Sequence, residues 1–170
     1  VDKNGERIPL TIADANIEKG TITLIVQVVG VTTAKLGNLS EGDTISDVAG
    51  PLGKATHITK AGTVLCCGGG VGIAPLLPIV KAFREAGNKV VSVIAARTKE
   101  LLILENEIRE HSDDTIVMTD DGSYGIKGLI TEGMEKVIDR EKVHQAIVIG
   151  PAVMMKFASL TTKKYHIPTY

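Results

Sequence analysis

Four glycines within five positions, Gly68, Gly69, Gly70 and Gly72, restrict this chain more than any other feature. They follow the apolar run Val64-Leu65-Cys66-Cys67 and precede Ala74-Pro75-Leu76, where an amphipathic segment opens and continues to Ala86 before Gly87. An apolar run of strand length, a turn without Cβ atoms and a proline suited to the first turn of a helix spell strand, turn and helix. The unpaired N–H groups and positive dipole end at such a helix start attract an anion, and bare backbone lets it come close. The spacing differs from G-x-G-x-x-G, and the cluster lacks the Gly-Lys-Ser/Thr ending of a P-loop. A plain turn that needs glycine for packing is the alternative.

From Gly62 onward short apolar runs alternate with helical periods. Strands are predicted at 63–67, 89–96, 115–119 and 145–149, and helices at 74–86, 100–111, about 130–139 and 151–164. That alternation implies a parallel sheet covered on both faces, whose ligands sit beyond the carboxyl ends of its strands. Each predicted strand is followed by glycine or polar residues: Gly68 to Pro75 with Val71 at its centre, then Arg97-Thr98-Lys99, then Asp120-Asp121-Gly122-Ser123-Tyr124-Gly125, then Gly150-Pro151. After a second strand, an acidic residue favours a free ribose 2′-hydroxyl, whereas an arginine can pair a 2′-phosphate through two parallel bonds. Arg97 stands there with Lys99 able to assist; a solvated basic pair ahead of a helix is the other reading, with Thr98 as its N-cap. Adjacent Asp120 and Asp121 diverge, so they are not a facing acid–base pair; they suit ribose hydroxyls or backbone N–H groups, or else an Asx turn.

The first 60 residues read as strand and turn. Thr21 to Val29 alternates and is rich in β-branched residues, making it the clearest strand of that half. Two or three strands cannot close a barrel, so this half is expected to be part of a larger β domain. The net charge of −1, with 3 % aromatics and no tryptophan, argues against a nucleic-acid surface. No apolar stretch reaches membrane-spanning length, no signal peptide opens the chain, and the adjacent Cys66 and Cys67 read as core residues of a reducing, cytoplasmic compartment. His57, His111, His144 and His166 are scattered without metal-ligand spacing, and Gly-Ser-Tyr-Gly is no nucleophile elbow. The absence of a protein acid–base constellation suits hydride transfer, in which cofactors carry the chemistry.

These segments, in their order, resemble the ferredoxin–NADP reductase superfamily. The carriers are Arg7-Ile8-Pro9-Leu10-Thr11, Val29-Gly30-Val31-Thr32-Thr33, Gly50-Pro51-Leu52-Gly53, Gly68 to Leu76, Ala96-Arg97-Thr98, Thr119 to Gly125 with Lys127-Gly128, and Gly150-Pro151 with Met154-Met155. Within the superfamily the chain is similar to the small, FAD-carrying subunits of NADH-dependent ferredoxin:NADP oxidoreductases (also called sulfide dehydrogenases) and to dihydroorotate dehydrogenase electron-transfer subunits. The resemblance implies an α/β, doubly wound parallel sheet at 61–170 that binds NADP(H), preceded at 1–60 by part of an antiparallel β-barrel FAD domain. Arg7 and Thr11 would contact the flavin, Thr32 and Thr33 its pyrophosphate, and Gly68 to Pro75 the pyrophosphate of the nicotinamide nucleotide. Arg97 would read the 2′-phosphate, and Gly150-Pro151 would lie near the nicotinamide. Hydride would pass between nicotinamide and flavin, and electrons onward to an iron–sulfur partner, a larger oxidoreductase subunit in a heterodimer, and indirectly ferredoxin. A [2Fe–2S] cluster belongs to this family, but its four cysteine ligands would follow Tyr170, and the chain's own two cysteines cannot supply them. The barrel strands that the family places before Val1 are likewise outside the chain.

Overall fold

The computed structural model describes residues 6–170, in two compact units divided between His57 and Ile58. In the first unit, β1 (Ile12–Asn16) and β2 (Thr21–Leu24) pair antiparallel, with Ala15 opposite Ile22 and an irregularity between Ile12 and Asp14. Gly20, at φ 61°, closes the turn between them. The strand predicted through Val29 stops at Leu24, and Val31–Gly37 is a seven-residue helix, α1, where strand and turn were expected. The cause is Thr33. Its hydroxyl accepts the N–H groups of Val29 and Gly30 (3.0 and 2.9 Å) and donates to the Gly30 carbonyl, which also accepts the Ala34 N–H at 2.8 Å. That local bonding overrides the β preference of Val-Thr-Thr. Among the described residues of this unit only Ala13 and Thr32 are buried, so its strands and helix enclose almost no apolar core.

The second unit is a five-stranded parallel sheet. Its elements in chain order are β3 (Thr63–Gly69), α2 (Ile73–Glu85), β4 (Lys89–Ala96), α3 (Glu105–Glu110), β5 (Asp114–Thr119), β6 (Ile126–Lys127), α4 (Ile130–Arg140), β7 (Gln145–Ile149) and α5 (Ala152–Lys164). The strand order is β6-β5-β4-β3-β7, so the chain winds outward from β3 to one side and then returns to the other. Side chains alternate across each strand and feed two cores. Val64, Cys66 and Ile94 pack with Leu76, Val80 and Phe83 of α2 and Ile108 of α3. Leu65, Cys67, Val91 and Val93 pack with Met134 and Val137 of α4 and Ala158 of α5 on the opposite face. Pro168 to Tyr170 extend the sheet beyond β7, through Ala146 N–H to the Pro168 carbonyl at 2.9 Å and Tyr170 N–H to the Ala146 carbonyl at 3.0 Å. Among the described residues no helix is long and apolar enough to cross a membrane.

Helix ends follow local chemistry. α2 stops at Gly87 (φ 78°), where the Asn88 N–H bonds the Phe83 carbonyl at 3.2 Å and the Gly87 N–H bonds the Arg84 carbonyl at 3.0 Å. This is a Schellman arrangement that satisfies orphan carbonyls. The single helix predicted over 100–111 is broken: Lys99–Leu101 form a 3₁₀ turn, and Leu104, with φ 54°, lies between it and α3.

Asn88, 4 % exposed, secures the entry to β3. Its Oδ1 accepts the N–H groups of Ala61 and Gly62 (2.7 and 3.1 Å), and its Nδ2 donates to the carbonyls of Thr59 and Phe83 (2.9 and 3.0 Å). Asn88→Ala leaves buried backbone groups unpaired and is expected to cost about 2–4 kcal/mol. The check is thermal unfolding, where the melting temperature should fall by roughly 10 °C or more. Asn88→Asp, which keeps the acceptor and loses both N–H donors, should recover only part of the loss.

Candidate functional site

Parallel registry brings the ends of four strands to one edge of the sheet. Gly69 lies opposite Ala95, Gly68 opposite Ile149, and Ala96 opposite Thr119. Residues 68–75, 97–98, 120–121 and 150–151 therefore share the carboxyl edge. β3 and β7 flank the point where the winding reverses, the usual ligand crevice of an open sheet of this kind.

The glycine turn occupies that point. β3 runs through Gly68 and Gly69, residues 70–72 form a 3₁₀ turn, and α2 starts at Ile73 with Pro75 as its third residue. Gly68 and Gly72 are buried against protein: a Cβ on Gly68 would fall 2.9 Å from Leu76 Cδ2, and one on Gly72 would fall 2.6 Å from the Ile149 carbonyl oxygen. The packing reading thus holds for these two. Gly70 differs, with φ 55° and open space where a Cβ would stand, and Val71 beside it is exposed.

The ends of β4 and β5 are tied together. The Asp120 N–H bonds the Ala96 carbonyl at 3.1 Å, and the Asp121 N–H bonds the Arg97 carbonyl at 3.2 Å. The Arg97 side chain is exposed and, among the described residues, has no hydrogen-bond or ion-pair partner. Thr98 is engaged with Glu100, and its hydroxyl there holds the Glu100 carboxyl below the usual range. Asp121 forms the Asx turn: its carboxylate accepts the Ser123 N–H at 2.9 Å and the Ser123 hydroxyl at 2.6 Å, and these bonds hold its pKa down. Ser123 Oγ in turn accepts the Lys99 N–H at 2.9 Å. Tyr124 carries Lys99 Nζ 5.2 Å from its ring centre and donates its hydroxyl to Glu105 at 3.1 Å. The Ser123 bridge was not foreseen; the Asp-x-Ser spacing is the signal that could have found it. Asp120 is exposed at the same edge.

In the first unit, Thr32 and Thr33 line a cavity of about 380 Å³ together with Glu6, Ile8, Val29 and Lys35. Arg7 and Thr11 are exposed and do not line it. Thr33 spends its hydroxyl on the start of α1, and the Glu6 carboxylate stands among the lining groups.

No group of three or more histidine, cysteine or acidic side chains that could hold a metal occurs among the described residues. Cys66 and Cys67 point into opposite cores, and burial pushes the Cys66 thiol up to about 12 and Cys67 well above its ordinary value. The two cysteines do not fit an iron–sulfur cluster. His144 is structural, its Nδ1 accepting the Thr63 N–H at 3.0 Å.

A sheet wound both ways from β3, with a glycine turn at the reversal and an arginine at the next strand end, defines a nucleotide-binding domain of the ferredoxin reductase-like type. Residues 66–160 match the oxidoreductase NAD-binding domain family, and the chain belongs to it. A dihydroorotate dehydrogenase B (NAD(+)) electron transfer subunit homolog from Thermotoga maritima is 48 % identical over 99 % of this chain and 59 % of its own length. The structure of an NADH-dependent reduced ferredoxin-NADP oxidoreductase, solved in connection with flavin-based electron bifurcation, is 47 % identical over 99 % of this chain and 61 % of that one, with a TM-score of 0.92. An Amycolatopsis cytochrome P450 reductase shares the fold at 21 % identity and a TM-score of 0.75, over 99 % of this chain and 57 % of its own. The chain spans about three-fifths of the length of these relatives.

The thiols give a direct check on the two cores. In native protein at pH 8, labelling of Cys66 and Cys67 by an aromatic disulfide reagent should be slower than in denaturant by roughly a thousandfold or more. Rapid stoichiometric labelling of the folded chain would contradict their placement.

Proposed function

We propose that this chain is the nucleotide- and flavin-handling part of an oxidoreductase subunit that passes hydride between NADP(H) and FAD. Its electrons would go to or come from an iron–sulfur partner subunit, and through it ferredoxin. The observation that carries the NADP(H) reading is Arg97: an exposed guanidinium, without a partner among the described residues, at the end of the strand next to the glycine turn. In this reading residues 61–170 are the NAD(P)-binding domain and 1–60 belong to the flavin domain.

Gly70 and the N–H groups around it receive the dinucleotide pyrophosphate, with Gly68, Gly69, Gly72 and Pro75 shaping the turn. Arg97 pairs the 2′-phosphate, and Thr98, Asp120 and Asp121 border the adenosine side. Gly150 and Pro151 border the nicotinamide side at the reversal point. In this reading the flavin pyrophosphate lies beside Thr32 and Thr33, which line the cavity of the first unit. Arg7 and Thr11, exposed ahead of and at the approach to β1, contribute to flavin binding only from outside that cavity. FAD, when bound, supplies a two-electron acceptor that can release electrons singly. The protein's part is to bind, orient and exclude water; no side chain is required to move a proton.

A second reading is favoured by the relatives' own designation as NAD(+)-linked electron transfer subunits: an NADH-linked subunit of the dihydroorotate dehydrogenase kind. An NADH-linked subunit serving a hydrogenase, and a nucleotide- or partner-binding module without turnover, are the remaining alternatives.

Calorimetry with NADPH and NADH, on this chain and on Arg97→Ala, separates the readings. A bidentate charged contact is worth ~1.5–3 kcal/mol, so the wild type should prefer NADPH by roughly tenfold to a hundredfold, and the variant should lose that preference. Equal affinities in the wild type would favour the NADH-linked reading. Binding of neither would remove the nucleotide reading.

A further inference from the structure

The glycines at the reversal point are not equivalent. Gly69 has extended backbone (φ −124°, ψ 128°) and Gly72 is helical (φ −63°, ψ −12°), conformations open to any residue. What bars a side chain at 72 is the Ile149 carbonyl. What bars one at 69 is Met154: a Cβ there would overlap Met154 Sδ, whereas the nearest atom of any other residue, Pro151 Cδ, is at an ordinary 3.6 Å. At Gly150 a Cβ would fall 2.5 Å from Met154 Cε and 2.9 Å from its Sδ. One thioether therefore lies across two glycines that belong to two strand ends. Met154 stands in the first turn of α5, where the Cα–Cβ bond tilts back toward the helix start, and packs on the core shared with α4.

We propose that Met154 is a positioning residue of the nucleotide site, a role that rests on the nucleotide reading given above. Its side chain fills the volume that side chains at 69 and 150 would take and packs over the two strand ends, whose spacing the backbone contact of Gly72 with Ile149 sets. Gly70 is left as the place where phosphate meets bare backbone. Glycine at 69 is demanded by the methionine rather than by the ligand. An unbranched, polarizable side chain suits this flat, irregular gap, and a β-branched one would not lie across it.

The test measures affinity for NADPH and for NADH by calorimetry, with melting temperature alongside, on the full chain and on Gly69→Ala, Met154→Ala, the double variant and Met154→Leu. Gly69→Ala should weaken the preferred nucleotide severalfold, because the added methyl group pushes the Met154 thioether off the two glycines. Met154→Ala should weaken it severalfold at temperatures well below its melting point, and Met154→Leu should stay within about threefold of wild type. The double variant should bind within about threefold of Met154→Ala, since the thioether that the added methyl group would strike has gone. Should Gly69→Ala alone fail to fold, folding of the double variant is the same rescue. An equal loss from Gly69→Ala in both backgrounds would overturn the proposal, because the ligand itself would then need that space. Wild-type affinity in Met154→Ala would overturn it too, leaving only a packing role. Binding of neither nucleotide by the wild type would bring down the nucleotide reading and this role together, an outcome distinct from the other two.

Discussion

The crevice of the second unit depends on one contact between bare backbones, the approach of the turn after β3 to the end of β7. A Cβ on Gly72 would stand 2.6 Å from the Ile149 carbonyl oxygen and 2.8 Å from Gly150 Cα, so the two turns touch with nothing between them. Protein interiors pass such displacements on because they are close-packed. A methyl group at 72 would push β7 from β3 or tilt α2, and α2 carries Leu76, Val80 and Phe83 into the core beneath. The geometry of the edge and the packing of one face are thus set at the same place.

The remaining polar groups of the edge are bound mainly to the protein itself. Asp121 is held by Ser123, Ser123 by the Lys99 N–H, Glu100 by Thr98, and Tyr124 by Glu105. Such local bonds spare the loops the entropy cost that an unbound edge would add on binding. The carboxylates of Asp121 and Glu100 are tied to hydroxyl donors that favour their ionised forms. A site of this kind can position cofactors, and it has little to contribute to proton transfer.

Much of the second unit was legible because its signals are local. Apolar runs of strand length, Gly87 after α2 and Pro151 before α5 each act through neighbouring residues, and the strand ends followed from them. The breaks lay where a single side chain outweighs a pattern. Thr33 turned the β-branched Val31-Thr32-Thr33 into a helix, and Leu104 in a left-handed conformation divided what reads as one helical period. The glycine cluster was legible as a cluster but not as separate roles. The roles of Gly69 and Gly72 depend on Ile149, Gly150 and Met154, some eighty residues away in the chain, and no local pattern encodes what meets a Cβ across two strands. Asp121 was open between ribose contact and Asx turn until Ser123 supplied its partner.

Charges of both signs alternate around the ends of β4 and β5, so this part of the edge carries no broad field. Arg97, Lys99 and Lys127 face Glu100, Asp120 and Asp121 over a short stretch, with Lys127 close enough to Asp121, and Asp121 to Glu100, to influence their ionisation. Opposite charges in equal number leave little net potential beyond about 8 Å in physiological salt. A phosphate approaching this edge is therefore not drawn in by a broad basic surface, and under the proposed NADP(H) reading discrimination rests on a guanidinium that meets it directly. Among the cations here, Lys99 lies over the Tyr124 ring and Lys127 lies near Asp121, whereas the Arg97 side chain is exposed and has no partner among the described residues. A planar fork reads a phosphate through two parallel bonds, which a point charge on a flexible stem cannot reproduce. Under the proposed NADP(H) reading, the near-neutral surroundings leave that single geometry, rather than the sum of charges, to tell a phosphorylated ribose from a free one.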